Sequence, residues 1–340
     1  MAKSSILRDR VYTALSFREP DICPYYIWID PEMMAPLGSH YRDPDFRDNY
    51  IRDHTVMTEI LALKEPVPGG LSRDDFGAVR RQGNIPHLEK PALSGPSLAG
   101  YQFPDLTTDE HFNHLDAWLD RCADRFKIVQ LGELFFERSW LMRGFENILT
   151  DFLENPGFAA ELMDNLAETC IRVVDRLVRD YGERIDAIGL SNDSGAEKSM
   201  LISPETWRKF VKPGLARICE RIRRSGRKTY LHSCGHVTPI IPDLIEIGVE
   251  MLQPIQPESM DIFRLKKEFG RDICLVGGIS TQRTLPFGTP DDVVREVRKC
   301  LEVMAVGGGY ILAPAKPILP GVPLDNAVAL IDAIVRQEKH

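Results

Sequence analysis

His232 and Cys234 stand two apart in "KTYLHSC", so on a strand their side chains share a face, and His236 follows two residues later. An imidazole nitrogen and a thiolate are good zinc ligands, and a catalytic zinc takes three protein ligands while leaving one position open. The third donor must come from elsewhere. Glu133, Asp193, Glu258 and His236 are chemically able, Gln256 is a weak donor, and Lys316 binds a metal only when deprotonated. The competing reading is a hydrogen-bonded histidine beside an inert buried cysteine. Asp193, in "SNDSG", is suited either to general acid or base work or to capping the helix that follows. Lys316, in "APAKPI", is held on a proline-stiffened loop, where burial would lower its pKa into the range for acid–base work and solvation would not. Asp193, His232 and Lys316 are therefore the catalytic candidates, and His232 and Cys234 the metal candidates.

The elements that must carry these residues repeat in one sense from about residue 127 onward. Short apolar runs at 127–136, 187–193, 228–234, 251–255, 274–279 and 309–315 read as buried parallel strands, with amphipathic stretches between them. Ser203 before Pro204, and Thr289 before Pro290, read as helix caps. With "ICPYYIWI" (22–29) as a first strand, the count approaches eight, and a TIM barrel is the preferred architecture. An open doubly wound sheet would want a glycine-rich turn after an early strand, and no G-x-G-x-x-G occurs; "VGGGYI" enters a strand and reads as a turn.

In a barrel the strand ends converge at one face. Read in order, those ends collect Glu133, Glu137, Asn192, Asp193, His232, Cys234, His236, Gln253, Gln256, Gly277, Gly278 and Lys316. Glu133, Asn192, Gln253 and Gln256 are the polar candidates for holding a substrate. Tyr26 and Trp28 are aromatic candidates, with Tyr25, Phe135, Phe136 and Trp140 able to line the same slot or to sit in the core. Residues 64–110, rich in Pro and Gly with little periodicity, read as a loop insertion, either a lid or a surface excursion.

The 340 residues read as one domain with an N-terminal helical segment, and 43% hydrophobic content supports a large core. A formal charge of −8 argues against nucleic acid, and the basic run 208–228 has the spacing of a solvated helix face. No signal peptide or apolar span is visible, so the expectation is a soluble cytoplasmic chain without a membrane partner. Seven scattered cysteines without C-x-x-C spacing argue against a disulfide framework.

"HSCGHVTPIIPDLIEIGVEMLQPIQPESMDIFRLKKEFG", "LVGGISTQRTLPFGTPDDVVREVRKCL" and "GGGYILAPAKPILPGVPLDNAVALIDAI" resemble the uroporphyrinogen decarboxylase superfamily, with further likeness in "SWLMRGFENILTDFLENP" and "RDRVYTALSFREPDICPYY". The resemblance implies a TIM barrel, and either decarboxylation of tetrapyrroles or methyl exchange with corrinoid proteins. The decarboxylases carry an R-Q-A-G-R motif after the first strand; "PYYIWIDPEMM" stands there, with Asp30 and no arginine. The methyltransferase branch holds zinc with an H-x-C pair, matched by His232 and Cys234. Lys316 stands where that branch has a further cysteine, and Gln256 is the nearest match to its glutamate ligand. The resemblance thus implies a corrinoid-dependent methyltransferase component with zinc as candidate metal. Its partners would be a corrinoid carrier protein and a small methyl donor such as a methoxylated aromatic, and a homodimer stays open. On that reading Lys316 or His232 supplies a proton, Asp193 orients the acid, and Glu133 or Gln256 the substrate. A carboxy-lyase acting on a smaller acid, and a non-catalytic ligand-binding barrel, are the alternatives.

Overall fold

A computed structural model describes residues 6–81 and 87–337. Seven parallel strands form one sheet in chain order: β1 (Thr55–Glu59), then β6 (Phe126–Gln130), β7 (Ala187–Ser191), β8 (Lys228–His232), β9 (Met251–Ile255), β10 (Cys274–Ile279) and β11 (Tyr310–Pro314). The segment 24–30 completes the ring. Tyr26 N–H donates to Leu312 O at 3.2 Å, Leu312 N–H to Pro24 O at 2.9 Å and Ile318 N–H to Trp28 O at 2.8 Å on one side. On the other side His54 N–H donates to Tyr25 O at 2.9 Å. The chain is thus a TIM barrel. Its first member is an extended bridge, not the regular strand expected at 22–29, and the strand between it and β6 is β1, "TVMTE", which hydrophobic runs alone do not reveal.

Both faces of most strands are covered, by helices outside and by side chains inside, which is why they read as near-continuous apolar runs. Alternation still sorts the residues. Tyr26, Phe126, Ile128, Ala187, Tyr230, Met251, Cys274, Val276, Ile311 and Ala313 fill the interior, joined by Val11 and Leu15 of the helix Ile6–Leu15. That helix is tied to the strands through buried Asp186, which accepts from Arg8 Nε at 2.7 Å, Tyr12 OH at 2.8 Å and Lys127 N–H at 2.8 Å. His232 is two residues beyond Tyr230 on the same inward face, so it stands on top of the apolar plug.

The caps form as read. Ser203 Oγ accepts Thr206 N–H at the start of Pro204–Phe210, and Thr289 and Asp292 cap Pro290–Met304 reciprocally. In the basic run, Leu215, Ile218 and Ile222 are buried on the helix Lys212–Arg224 while Arg208 and Lys212 pair with Asp243 and Arg217 with Asp164. All seven cysteines are free. No helix among the described residues is long and apolar enough to cross a membrane.

The insertion differs from the expected loop. Residues 82–86 of it lie outside the described residues, but around them β2 (Lys64–Val67), β3 (Leu71–Asp74), β4 (Val79–Arg81) and β5 (His87–Lys90) make an antiparallel sheet. Its short, mostly exposed strands explain the weak periodicity. Arg138, after β6, donates to Asp74 Oδ2 at 2.6 Å and lies over the Phe76 ring; Arg80 reaches Glu133 Oε2 at 2.7 Å. These contacts fix the small sheet to the face at which the barrel strands end.

Candidate functional site

Adjacent register partners bring three strand ends together: Ser191 of β7 beside His232 of β8, and His232 beside Gln253 of β9. His232 Nδ1 bonds Gln253 Oε1, an acceptor, so Nδ1 carries the ring proton and Nε2 is turned to the site. There it lies 3.1 Å from Cys234 Sγ and 3.6 Å from Asp193 Oδ1. Lys316 Nζ comes from the far side of the ring and donates to Cys234 Sγ at 2.8 Å. The turns after β7 and β8 and the loop after β11 therefore meet at one thiol, with Gln253 of β9 behind His232.

The turns that hold these groups interlock through the backbone. Cys234 N–H donates to Asp193 Oδ1 at 2.7 Å, Ser194 N–H to Ser233 Oγ at 3.0 Å, Asn192 N–H to His232 O at 2.8 Å and His236 N–H to Ala196 O at 2.7 Å. Gly195 and Gly235 touch where these turns cross: a Cβ on Gly195 would lie 2.6 Å from Cys234 O and His236 N, and one on Gly235 2.5 Å from Gly195 O and Ala196 O. Asp193 thus orders the cysteine loop as well as facing His232.

Each of the other candidates has a definite place. Gln253 lines the site and orients His232. Gln256 turns into the cysteine loop, its Oε1 accepting Gly235 N–H at 2.6 Å. Asn192 is buried, with Nδ2 on Ser194 Oγ and Oδ1 unpartnered. Glu133 pairs with Arg80 of the small sheet. Of the four possible third donors, His236 is bonded to Ser259 O and Glu258 to Ser280 Oγ, leaving Asp193 nearest the pair. Among the aromatics Tyr26 and Trp28 line the cavity, whereas Phe135 and Phe136 are fully buried core, Tyr25 bonds Ile51 O, and Trp140 packs on Phe136 and Phe145. Asp30 is bonded to Glu32 N–H as a helix cap.

One cavity of about 750 Å³ reaches the site and is lined there by His232, Gln253, Ser191, Gln130, Tyr230 and Tyr26. The hydroxyls of Tyr26 and Tyr230 are buried close to one another and to Gln253, neither in good hydrogen-bond geometry.

Burial and the carboxylate of Asp193 push the Cys234 thiol up to about 12, against the pull of the Lys316 ammonium. Among the described residues, Asp193, His232 and Cys234 are the one group of three such donors whose ligating atoms lie within 4.8 Å of one another. Imidazole, thiolate and carboxylate together suit a borderline-soft divalent ion such as zinc, and Gln253 on Nδ1 is the kind of partner a ligating histidine uses.

Glu137, opening the helix Phe136–Arg143, belongs to this electrostatic group although its sequence position singles it out only as one of two neighbouring carboxylates. It is 6% exposed, one carboxylate oxygen is unpartnered, and burial with nearby Asp193 raises it to about 7, opposed by Ser191 and His232. A folded-state pKa above the ordinary value means that the native state binds this proton more tightly than the unfolded chain. Wild-type stability should therefore fall as pH rises from about 4.5 to about 7. Glu137→Gln should remove that decline, so that in thermal unfolding the variant gains on wild type across the window. An equal difference in Tm at pH 5 and pH 7.5 would refute this.

A parallel barrel with an imidazole, a thiol, a carboxylate and an amine gathered where its strands end is an enzyme-like architecture. A sequence model described as uroporphyrinogen decarboxylase (URO-D) matches residues 83–337, and the chain belongs to that family. A methylcobamide:CoM methyltransferase MtaA of Methanosarcina barkeri is 35% identical over 133 residues, 39% of this chain and 37% of that protein. A methylated-thiol–coenzyme M methyltransferase of Methanosarcina mazei is 26% identical over 253 residues, 72% of this chain and 65% of that protein. The chain thus matches less than two thirds of the length of these relatives. A solved methyltransferase from Methanosarcina mazei superposes over 97% of this chain and 98% of its own, with a TM-score of 0.73 and 20% identity, a likeness of fold.

Proposed function

We propose that the chain is a corrinoid-dependent methyltransferase component, moving a methyl group between a small methylated compound and a corrinoid carried by a partner protein. The observation that carries this reading is the convergence of Asp193, His232, Cys234 and Lys316 beside a cavity large enough for a small molecule. Two relatives named as methyltransferases acting on methylcobamide or methylated thiols support it.

Acceptance of the methyl group is the chemistry that a reduced corrinoid supplies when its carrier docks at the strand-end face. The chain's own residues hold the donor and manage the departing heteroatom. Tyr26, Tyr230 and Met57 give the cavity apolar walls, and Gln253 and Ser191 offer polar anchors that fix the methyl in line. When a methoxylated aromatic is the donor, the methyl–oxygen bonding pair stays on the aryl oxygen, which must take a proton. Lys316, hydrogen-bonded to Cys234 next to His232, would give it, with Cys234 and Asp193 holding Lys316 and His232 in register. A zinc ion held by Asp193, His232 and Cys234 would supply Lewis acidity at the same place.

The test is anaerobic mixing with cob(I)alamin and a panel of methoxyaromatics, methanol, methylamines, chloromethane and methylated thiols, read by visible absorbance. Conversion to methylcobalamin with at least one donor is expected. No change across the panel, or release of carbon dioxide from an acid without any corrinoid, would overturn the proposal, the latter in favour of a lyase.

A further inference from the structure

The cavity beside His232 extends along one wall of the barrel. It is lined by Thr55, Val56, Met57, Thr58 and Glu59, every residue of β1. The same cavity is lined by Tyr26, Tyr230 and His232 inside the ring and by Trp118, Arg121 and Arg125 of the segment that leads from β1 to β6, so it follows the free edge of β1. The edge is free because β1 pairs with β6 on one side only, while among the described residues the neighbouring segment 24–30 joins this side through one backbone bond, from His54 to Tyr25 at its lower end. Above that bond, side chains stand in for strand pairing. Ile27 N–H donates to Asp53 Oδ1 at 2.7 Å, and Ile27 O accepts Arg47 Nη2 at 3.4 Å, with Arg47 and Asp53 paired at 3.1 Å. Burial agrees: β6, β9, β10 and β11 are buried at every residue, whereas β1 is buried only at Thr55.

Beyond the seam the cavity is lined by Trp28, Trp118, Arg121 and Arg125, with the carboxylates of Asp48 and Asp53 beside Arg125 and Arg47. Trp28 is 43% exposed, which is unusual for so large an apolar group, and it lines the cavity there. Arg125 is held by Asp53 O and by Asp124, and Arg47 by Asp53. Arg121 is exposed and meets no carboxylate among the described residues.

Resting on the reading of the site given above, we infer that this slot admits the small methyl donor sideways, between the segment 24–30 and β1. The donor's methylated end reaches His232, and an anionic group at its other end stays at the Arg121 rim. The barrel mouth at Cys234 and Lys316 is then left to the protein partner, so that the two reactants reach one thiol from different directions. A guanidinium binds a carboxylate or a sulfonate in the same way, and either group serves.

Binding can be read without corrinoid or turnover, by quenching of tryptophan fluorescence in the whole chain. The probes are 4-methoxybenzoate, 4-methoxybenzenesulfonate and uncharged methoxybenzene. At low salt at least one anion should bind about tenfold more tightly than methoxybenzene, and Arg121→Ala should erase that preference while methoxybenzene binding is unchanged. Val56→Trp, which fills the slot at β1, should weaken all three probes by at least about tenfold. Equal binding of charged and uncharged probes by wild type would overturn the anionic end of the proposal, and undiminished binding by a folded Val56→Trp chain would overturn the sideways route. Methyl transfer without this binding pattern would remove the present inference and leave the proposed function standing. The binding pattern without any methyl transfer would do the reverse.

Discussion

His232→Ala is expected to slow methyl transfer by about two to four orders of magnitude while leaving the fold intact. The imidazole is the group that all the others face: Gln253 sets its tautomer, Cys234 Sγ lies 3.1 Å from Nε2, and Asp193 stands at 3.6 Å. Removing it takes away a proton carrier or metal ligand and frees Gln253 and Cys234 to turn. The cost to stability should be small, because the His232 side chain borders the cavity, 16% exposed, and is not part of the apolar plug below. Steady-state rates together with thermal unfolding separate the two effects. A variant that transfers methyl at the wild-type rate would remove His232 from the mechanism.

Gly235→Ala should damage both stability and rate. Gly235 has φ +79°, a left-handed conformation that costs an L-residue about 1–2 kcal/mol, and an added Cβ would lie 2.5 Å from Gly195 O and Ala196 O. These are backbone atoms in the Asp193 turn, which cannot swing aside as a long side chain does. Relief requires moving one turn away from the other, and with it Cys234, whose N–H is bonded to Asp193. The expected destabilisation is about 2–4 kcal/mol in denaturant unfolding. Methyl transfer should fall by at least about a hundredfold, since a displacement near 1 Å is enough to spoil alignment. Gly157→Ala is the control, because a Cβ there meets nothing within 4 Å and it should be near neutral. If Gly235→Ala behaves like the control, the crossing of the two turns does not hold the site.

The parts of this site that could be read from the sequence are those set by local chemistry. The alternation in "KTYLHSC" places Tyr230 and His232 on one inward face, and "SPETW" and "TPDDV" announce their helices through caps that need no tertiary context. What could not be read depends on distant partners. β1 is short and incompletely buried because it borders an opening, so it lacks the apolar run that marks the other strands. The small sheet of β2 to β5 is held by Arg138, Asp74, Arg80 and Glu133, ion pairs that no periodicity reports. Asp193 is the candidate third donor nearest the pair, while Glu133, Glu258 and His236 meet Arg80, Ser280 and Ser259. Glu137 is one of the strand-end carboxylates in the sequence, but the burial and the nearness of Asp193 that raise it are set by the fold. Conversely, Gln256 and Phe135 are near the right place in the chain, but one side chain turns into the cysteine loop and the other into the core.

The reading as a whole rests on four residues acting as one centre. The most direct check is a double-mutant cycle on the rate of cob(I)alamin methylation, comparing Cys234→Ala, Lys316→Ala and the double variant. Groups that work as a unit are strongly non-additive, so the double variant should be about as slow as the slower single variant. Multiplying losses, or single variants as fast as wild type, would contradict a shared centre at the Cys234 thiol.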